Sequence, residues 1–144
     1  MKSSELLLNK IIDFEGCKLT AYKCPAGVWT IGVGHTKGVK QGQTITEAQA
    51  MSLLKGDLLP CENYVNNLGV CKTQGQFDAL VDFAFNLGTA ALGRSTLLKY
   101  IRAKKPEQYI REEFAKWVNS NGMRLKGLVI RRAWEADRYY GKEA

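Results

Sequence analysis

The sequence lacks any long hydrophobic run. No apolar stretch approaches the roughly 18 residues that a membrane-spanning helix requires, and the run from Leu6 to Leu8 is too short for the core of a signal peptide. We therefore expect a soluble protein that has no export signal and does not insert stably into a membrane. With 144 residues, the chain is long enough for one domain with a hydrophobic core.

Metal ligands are also scarce. The chain has one histidine and four cysteines, Cys17, Cys24, Cys61 and Cys71, and none of the cysteines form a CxxC pair. Zinc sites usually combine such pairs with histidines, so we expect no metal and no other cofactor. The cysteines are expected to be free thiols; if one disulfide forms, Cys61 to Cys71 is the favoured pair.

Acidic residues are outnumbered by basic ones. Lys and Arg total 21 against 14 Asp and Glu, which gives a formal net charge of +7, and the chain from Leu97 onward carries 12 basic and 6 acidic residues. A basic surface favours a polyanionic partner such as nucleic acid, lipid headgroups or an anionic cell wall. A nucleic-acid-binding module is disfavoured, because the sequence has no glycine-rich phosphate loop, zinc finger or recognisable helix-turn-helix.

Residue spacing predicts a short helix followed by a small sheet. Apolar residues at helical spacing predict a helix over residues 4–14, with Ser3 or Ser4 as its N-cap and Gly16 beyond its end. Strand-forming residues on both sides of the turn at residues 25–27 predict two or three antiparallel strands between residues 17 and 36.

The rest of the chain has the spacing of helices. A capping box at residues 46–49 opens one predicted helix, which Pro60 should end, and Ser95 caps another. The fold class is therefore α+β, with a small antiparallel sheet lobe (about 15–60) packed beside a mainly helical lobe (1–14 and 61–144) in a single domain. The predicted helices of this part cover residues 46–58, 74–87, 95–104, 106–118 and 128–140.

Glu15 has an unusual position for an ordinary surface carboxylate. It follows the first helix at its carboxyl end, where the helix dipole disfavours negative charge. Burial against the sheet would also favour the protonated form, which is the form that a general acid requires. An exposed glutamate at a helix end is the alternative.

The segment that begins at Glu15 resembles the lysozymes of tailed bacteriophages, glycoside hydrolase family 24. The family signature is a Glu, eight residues, an Asp or sometimes a Cys, five residues and a Thr, and these positions are Glu15, Cys24 and Thr30 here. The resemblance also covers AYKCPAGVWTIGVGHT across the sheet, ITEAQA at the next helix, DFAFNLG in the buried helix and GLVIRRAWE in the last one.

The resemblance implies hydrolysis of the β-1,4 bond between N-acetylmuramic acid and N-acetylglucosamine in peptidoglycan. Glu15 would protonate the leaving oxygen, and the residues at positions 24 and 30 would hold and activate the attacking water. Cys24 departs from the commoner Asp, so three roles stay open for it: a thiolate base, a nucleophile that attacks the sugar directly, or a bystander. The stereochemical outcome is open as well.

The resemblance also implies supporting and substrate-binding residues. His35 should pair with Asp57 and support the sheet. Asp82 and Asn86 share one face of an apolar helix and are expected to line a wet cleft that binds substrate; the alternative is a polar network that holds the lobes together. Arg131 or Arg132 would pair with Glu15.

The implied biology is that of an endolysin. Its partner would be the glycan strands of bacterial peptidoglycan, it would act as a monomer, and it would stay in the host cytoplasm until a holin-type pore opened the way to the wall. A non-catalytic wall-binding protein with a lysozyme fold is the alternative that the cysteine at position 24 leaves open.

Overall fold

The computed structural model describes residues 1–143 and confirms the α+β class. Helices predominate, and the larger of two small sheets pairs β1 (Lys18–Lys23) with β2 (Trp29–Gly32) in antiparallel register. The helices are α1 (Glu5–Glu15), α2 (Glu47–Leu68), α3 (Gln74–Leu87), α4 (Thr89–Gly93), α5 (Thr96–Arg102), α6 (Glu107–Ala115) and α7 (Lys126–Tyr139).

The chain divides into two compact units, residues 5–60 and residues 1–4 with 61–144. In this division α1 falls in the unit of the sheet, whereas the sequence analysis groups residues 1–14 with the helical lobe. Ile12 of α1 lines the same cavity of about 260 Å³ as Val33 and Ala50, which explains the grouping.

In the unit of residues 5–60, the predicted capping box and the predicted sheet are formed. The capping box is formed, since Thr46 N–H donates to Gln49 Oε1 at 2.8 Å and Gln49 N–H donates to Thr46 Oγ1 at 3.1 Å. The sheet has two strands, and Thr44 adds an isolated antiparallel bridge to Thr20.

The prediction that Pro60 ends α2 is wrong. The helix continues through Pro60 to Leu68. An internal proline costs about 3 kcal/mol, but each fully buried aliphatic side chain contributes about 1.5–3 kcal/mol. The turns after Pro60 bury Cys61 and Val65, which offsets the cost of the proline.

In the other unit, α3 is the buried helix that its all-round apolar sequence predicts. Thr73 caps it by accepting from Gln76 N–H, and it packs against α7. Phe83 of α3 meets the rings of Phe114 and Trp117 edge-on, with centroids 6.1 and 5.4 Å away.

The short helix α4 and the small hairpin of β3 (Asn119–Ser120) and β4 (Met123–Arg124) have no counterpart in the prediction, because they are too short for a periodic signal.

Candidate active site

Glu15 is the last residue of α1, directly before the chain enters β1. Its Oε2 lies 3.8 Å from the position that a Cβ would take on Gly34, so the carboxylate sits beside the turn that follows β2. The side chain is exposed, and the expectation that it is buried against the sheet is wrong. The exposure follows from its place at the end of a helix whose buried residues are Leu7, Leu8 and Ile11.

Cys24 lies in the tight loop that joins β1 to β2. Its N–H donates to the Val28 carbonyl at 3.0 Å, and its carbonyl accepts from Gly27 N–H at 2.8 Å. Gly27 has a φ of 81°, in the left-handed region that glycine adopts without strain. The loop therefore folds back over Cys24 and directs backbone N–H groups toward its sulfur.

These N–H groups favour the thiolate form of Cys24. Hydrogen bonds from the backbone of Val28 and Ala26, together with the Thr30 hydroxyl, lower the pKa of Cys24 and outweigh the opposing desolvation. The thiol is partly exposed, so it remains accessible to a reactant. A base that replaces an Asp carboxylate needs both properties.

Thr30 lies on β2 beside this loop and is buried. Its hydroxyl donates to the Val28 carbonyl at 3.0 Å and is also within hydrogen-bonding reach of the Cys24 sulfur. One hydroxyl proton cannot serve both acceptors at once, but in either orientation the oxygen keeps lone pairs that can accept from a water. Thr30 and Cys24 thus form a pair that can hold a polar reactant.

The predicted pair of His35 and Asp57 is confirmed. His35 Nδ1 lies 2.8 Å from Asp57 Oδ2 and 3.0 Å from Oδ1, and Nε2 lies 2.9 Å from the Lys37 carbonyl. Both ring nitrogens of His35 therefore face oxygen acceptors. The pair connects the turn after β2 to α2, which supports the turn that adjoins Glu15.

The other predicted residues lie together where α3 packs against α7. We call Asp82, Asn86, Arg131, Arg132 and Glu135 the α3–α7 polar cluster. Arg131 donates to both oxygens of Asp82, from Nε at 3.0 Å and from Nη2 at 2.7 Å. Arg132 donates from Nη2 to Asn86 Oδ1 at 2.7 Å and to Glu135 Oε2 at 3.0 Å.

The prediction that Asp82 lines a wet cleft is wrong. Its side chain is 0% exposed, and both of its oxygens bind Arg131. Asp82 instead belongs to a polar network, which was the alternative prediction. The contacts of this network described here join α3 to α7. Asn86 is half-buried at the edge of the cluster, so its role in binding stays a prediction, as does a pairing of Arg131 or Arg132 with Glu15.

The pKa values of two carboxyl groups of the cluster, Asp82 and Glu135, are shifted in opposite directions. Burial raises the pKa of Glu135 well above its ordinary value, and the adjacent Asp82 carboxylate raises it further. Burial opposes ionisation of Asp82 too, but hydrogen bonds from Glu135 and Arg131 outweigh it and lower the pKa of Asp82. Burial thus favours the protonated form of Glu135, and the hydrogen bonds to Asp82 favour its carboxylate.

The sequence analysis did not predict a role for Glu135. It also did not predict the ion pair between Arg138 of α7 and Asp78 of α3. Arg138 Nη2 lies 2.8 Å from Asp78 Oδ2, and Asp78 also accepts from Gln74 and from Ser4. One sequence feature could have indicated these contacts: Asp78 and Asp82 lie one turn apart on an otherwise apolar helix. Carboxylates that are buried on such a helix need cationic partners.

The described residues were also compared with the requirements of a disulfide, a metal site and a membrane-spanning helix. The four cysteines are free thiols. Among residues 1–143, no three His, Cys, Asp or Glu side chains are grouped so that they could hold a metal ion. No helix within the same residues combines the length and the apolarity that crossing a membrane requires.

Comparison with known proteins gives a consistent family. Residues 12–135 match the family model described as phage lysozyme. The chain is 39% identical to an endolysin of Acyrthosiphon pisum secondary endosymbiont phage 1, over 94% of this chain and 95% of that protein. It is 41% identical to an endolysin of Bacillus phage PZA over 94% of its own length, but spans only 54% of that protein.

A solved structure shows the same fold. The muramidase domain of SpmX from Asticaccaulis excentricus superposes with a TM-score of 0.86 at 37% identity, over 96% of this chain and 97% of that domain. The chain therefore belongs to the phage lysozyme family and is a lysozyme-type glycosidase that cleaves peptidoglycan.

Proposed function

We propose that Glu15, Cys24 and Thr30 carry out hydrolysis of the β-1,4 bond between N-acetylmuramic acid and N-acetylglucosamine. The observation that carries this proposal is the loop around Cys24. Its backbone N–H groups and the Thr30 hydroxyl converge on a partly exposed sulfur and favour the thiolate, in the same compact unit as Glu15.

Glu15 is the general acid of the proposal. In its protonated form it gives its proton to the glycosidic oxygen as the bond to the anomeric carbon breaks, and the sugar takes on oxocarbenium character. Its side chain is exposed at the end of α1. His35 and Asp57 support the turn beside it.

Cys24 is the base of the proposal, with Thr30 as the group that orients the water. The thiolate takes a proton from a water whose oxygen attacks the anomeric carbon, while the Thr30 hydroxyl fixes the position of that water. Attack from the face opposite the leaving group inverts the anomeric configuration. A Cys24 that attacked the anomeric carbon itself would form a covalent glycosyl–enzyme and give retention.

Variants of Cys24 test the base against the other two roles. A carboxylate can replace a thiolate base, whereas a serine hydroxyl is not ionised at neutral pH. We expect Cys24→Asp to keep activity within about tenfold of the parent and Cys24→Ser to lose about 100-fold or more, the usual contribution of a general base. The measurement is the rate of release of reducing ends from purified peptidoglycan, with the product anomer identified by NMR.

Each role leaves a different result. Retention of configuration would assign Cys24 as a nucleophile. Full activity of Cys24→Ser would make it a bystander. Inversion with an active Cys24→Asp supports the base.

We also propose that the protein acts as a monomer and reaches the wall through a pore that another protein makes. The family resemblance implies this route. Expression in a bacterial host should leave the cells intact until a pore-forming protein is co-expressed, and sedimentation should give a mass near 16.1 kDa. Lysis without the pore protein would contradict the proposed route.

A further inference from the structure

Positive charge is concentrated at the carboxyl end of α5. Between Asp82 and Glu107 the sequence has five basic residues and no acidic one. Four of the five lie within seven residues, and we call them the α5 basic cluster: Lys99, Arg102, Lys104 and Lys105. All four are exposed, and among residues 1–143 none of them forms an ion pair. The cluster therefore presents its charge to solvent.

The acidic residues on either side of this stretch do not neutralise the cluster. The side chain of Asp82 is 0% exposed and is bound by Arg131. Glu107 lies 2.7 Å from Arg111 Nε and 3.0 Å from Lys142 Nζ. Because both carboxylates are held by other cations, the cluster is free to attract an anion from outside the chain.

The helix dipole accounts for only part of the cluster. Lys99 and Arg102 are in the last turn of α5, where the carboxyl end of the helix favours positive charge. Lys104 and Lys105 lie beyond the last helical residue. The N–H of Lys105 donates to the Tyr100 carbonyl at 3.0 Å, and its Nζ lies 5.6 Å from the centroid of the Tyr100 ring. The chain thus turns back and brings Lys105 beside the last turn of the helix.

Lys104 stands where the backbone favours glycine. Its φ is 55°, and its N–H donates to the Ile101 carbonyl at 3.0 Å, as in the Schellman motif that usually places glycine here. Within residues 1–143, ten glycines and only one other non-glycine residue, Asn121, have a positive φ. Asparagine adopts this conformation more readily than lysine does. A lysine in a conformation that costs free energy is more readily explained if its charge has a task.

The surroundings of the cluster favour a polymer in solution over a membrane. No large hydrophobic side chain within residues 94–105 is exposed, so this segment has nothing to insert into a bilayer. Lysine side chains are flexible point charges that bind phosphate without a fixed geometry. They suit a flexible chain that carries one phosphate in every repeat.

We propose that the α5 basic cluster binds a phosphodiester-linked polyol polymer of the bacterial wall, with the phosphates at its four cations. The cluster lies in the unit that contains residues 61–144, whereas the proposed catalytic residues lie in the unit of residues 5–60. The inference therefore goes beyond the proposed function. It assigns a second binding surface, which holds the protein on the wall whether or not a glycan is bound.

Variants with equal net charge test the cluster. The cluster variant replaces three of its lysines by glutamine: Lys99→Gln, Lys104→Gln and Lys105→Gln. The matched control replaces three exposed lysines of other parts of the chain: Lys40→Gln, Lys55→Gln and Lys72→Gln. Both variants lower the formal net charge of +7 by three, so a difference between them reports the position of the charges.

Titration calorimetry with poly(glycerol phosphate) at about 0.1 M salt measures the affinity. We expect the Kd to rise about tenfold or more in the cluster variant and to stay within about twofold of wild type in the control. The slope of log Kd against log salt should also become shallower in the cluster variant, because binding releases fewer counterions. Equal affinities of the two variants would overturn the proposal.

Lys104→Gly separates the charge from the fold. Glycine adopts a φ of 55° without strain, so the unfolding temperature should not fall. The affinity for poly(glycerol phosphate) should nevertheless weaken several-fold, because one cation is lost. A Lys104→Gly variant that bound the polymer as tightly as wild type would overturn the proposed contact of Lys104.

Vesicles of phosphatidylglycerol test the alternative of a membrane. They present the same glycerol phosphate on a bilayer. At equal phosphate concentration, wild type should bind the free polymer more tightly than the vesicles. Tighter binding to the vesicles would assign the cluster to a membrane surface and overturn the proposal.

Co-sedimentation with bacterial walls tests the polymer in its natural setting. Hydrofluoric acid removes phosphodiester polymers from walls and leaves the glycan with its acidic peptides. On a Glu15→Gln background, less protein should sediment with the stripped walls, and the cluster variant should lose the same fraction without stripping. Equal sedimentation of the parent with both kinds of wall would overturn the proposal. With Glu15 intact, both lysine variants should cleave stripped walls at the wild-type rate, which separates this inference from the proposed function.

Discussion

The four thiols of this chain have different surroundings and should react differently. Cys24 accepts hydrogen bonds that lower its pKa, while burial raises the pKa of Cys61 and of Cys71 to about 11 in each case. The thiolate is the reactive form, so the order in which the thiols react as pH rises follows from these surroundings. Only the thiolate of Cys24 is favoured by its hydrogen bonds and also partly exposed.

Alkylation by iodoacetamide should show this order. As pH rises, Cys24 should become modified first, with a midpoint below that of an ordinary thiol, because its thiolate is already favoured. Cys61 and Cys71 should stay protected until the pH approaches about 11 or the protein unfolds. The measurement is the modified fraction of each cysteine by peptide mass spectrometry, with denatured protein as control. Equal midpoints for Cys24 and Cys61 in the folded protein would contradict the assigned surroundings.

The contact between α3 and α7 depends on a glycine. A Cβ placed on Gly75 would lie 2.3 Å from the Arg138 carbonyl oxygen, which is a backbone atom and cannot swing away. The close approach also brings Arg138 to the buried Asp78. The two helices therefore need a residue without a side chain at position 75.

Gly75→Ala should destabilise the protein by about 1–3 kcal/mol, the usual cost of overpacking. Gly56→Ala is the matched control, since Gly56 lies inside α2 with nothing within 4 Å of an added Cβ. Alanine is favoured over glycine in a helix by about 1 kcal/mol, so this control should stabilise the protein. Urea unfolding measures both free energies. A Gly75→Ala variant as stable as Gly56→Ala would show that the helices can separate without cost.

The elements were predictable where the signal is local. Thr46 and Gln49 form the capping box that their spacing indicates, because both partners lie within one turn. The prediction at Pro60 is wrong, since the burial of Cys61 and Val65 outweighs the tendency of proline to end a helix. Tertiary packing of that kind has no signature within a short window.

The candidate site was predictable to the extent that the family resemblance covers it. The pairing of His35 with Asp57 followed from the resemblance and is formed. Glu135 was not foreseen, because a Glu three positions from an Arg is a common spacing for an exposed ion pair on a helix. Its burial arises only when α7 packs on α3, and that contact joins residues about 50 positions apart in the sequence.

At the scale of the whole molecule, the net charge of +7 favours an acidic surface. Peptidoglycan carries acidic stem peptides, and neighbouring wall polymers add phosphate. The attraction between exposed charges is screened by salt, with a Debye length of about 10 Å at 0.1 M.

Binding of the Glu15→Gln variant to purified peptidoglycan should therefore weaken as salt rises from about 0.05 to about 0.5 M. Co-sedimentation measures the bound fraction. An uncharged chitin oligosaccharide is the control ligand, and its affinity should not depend on salt. Peptidoglycan binding that stayed constant across this range would show that the net charge has no part in it.

The central claim is that Glu15 supplies the proton that breaks the glycosidic bond. The most direct measurement compares the release of reducing N-acetylmuramic acid ends from purified peptidoglycan by wild type and by Glu15→Gln, which is nearly isosteric and cannot act as an acid. We predict a loss of about 100-fold or more with an unchanged unfolding temperature. A Glu15→Gln enzyme that keeps more than about a tenth of the wild-type rate would contradict the claim.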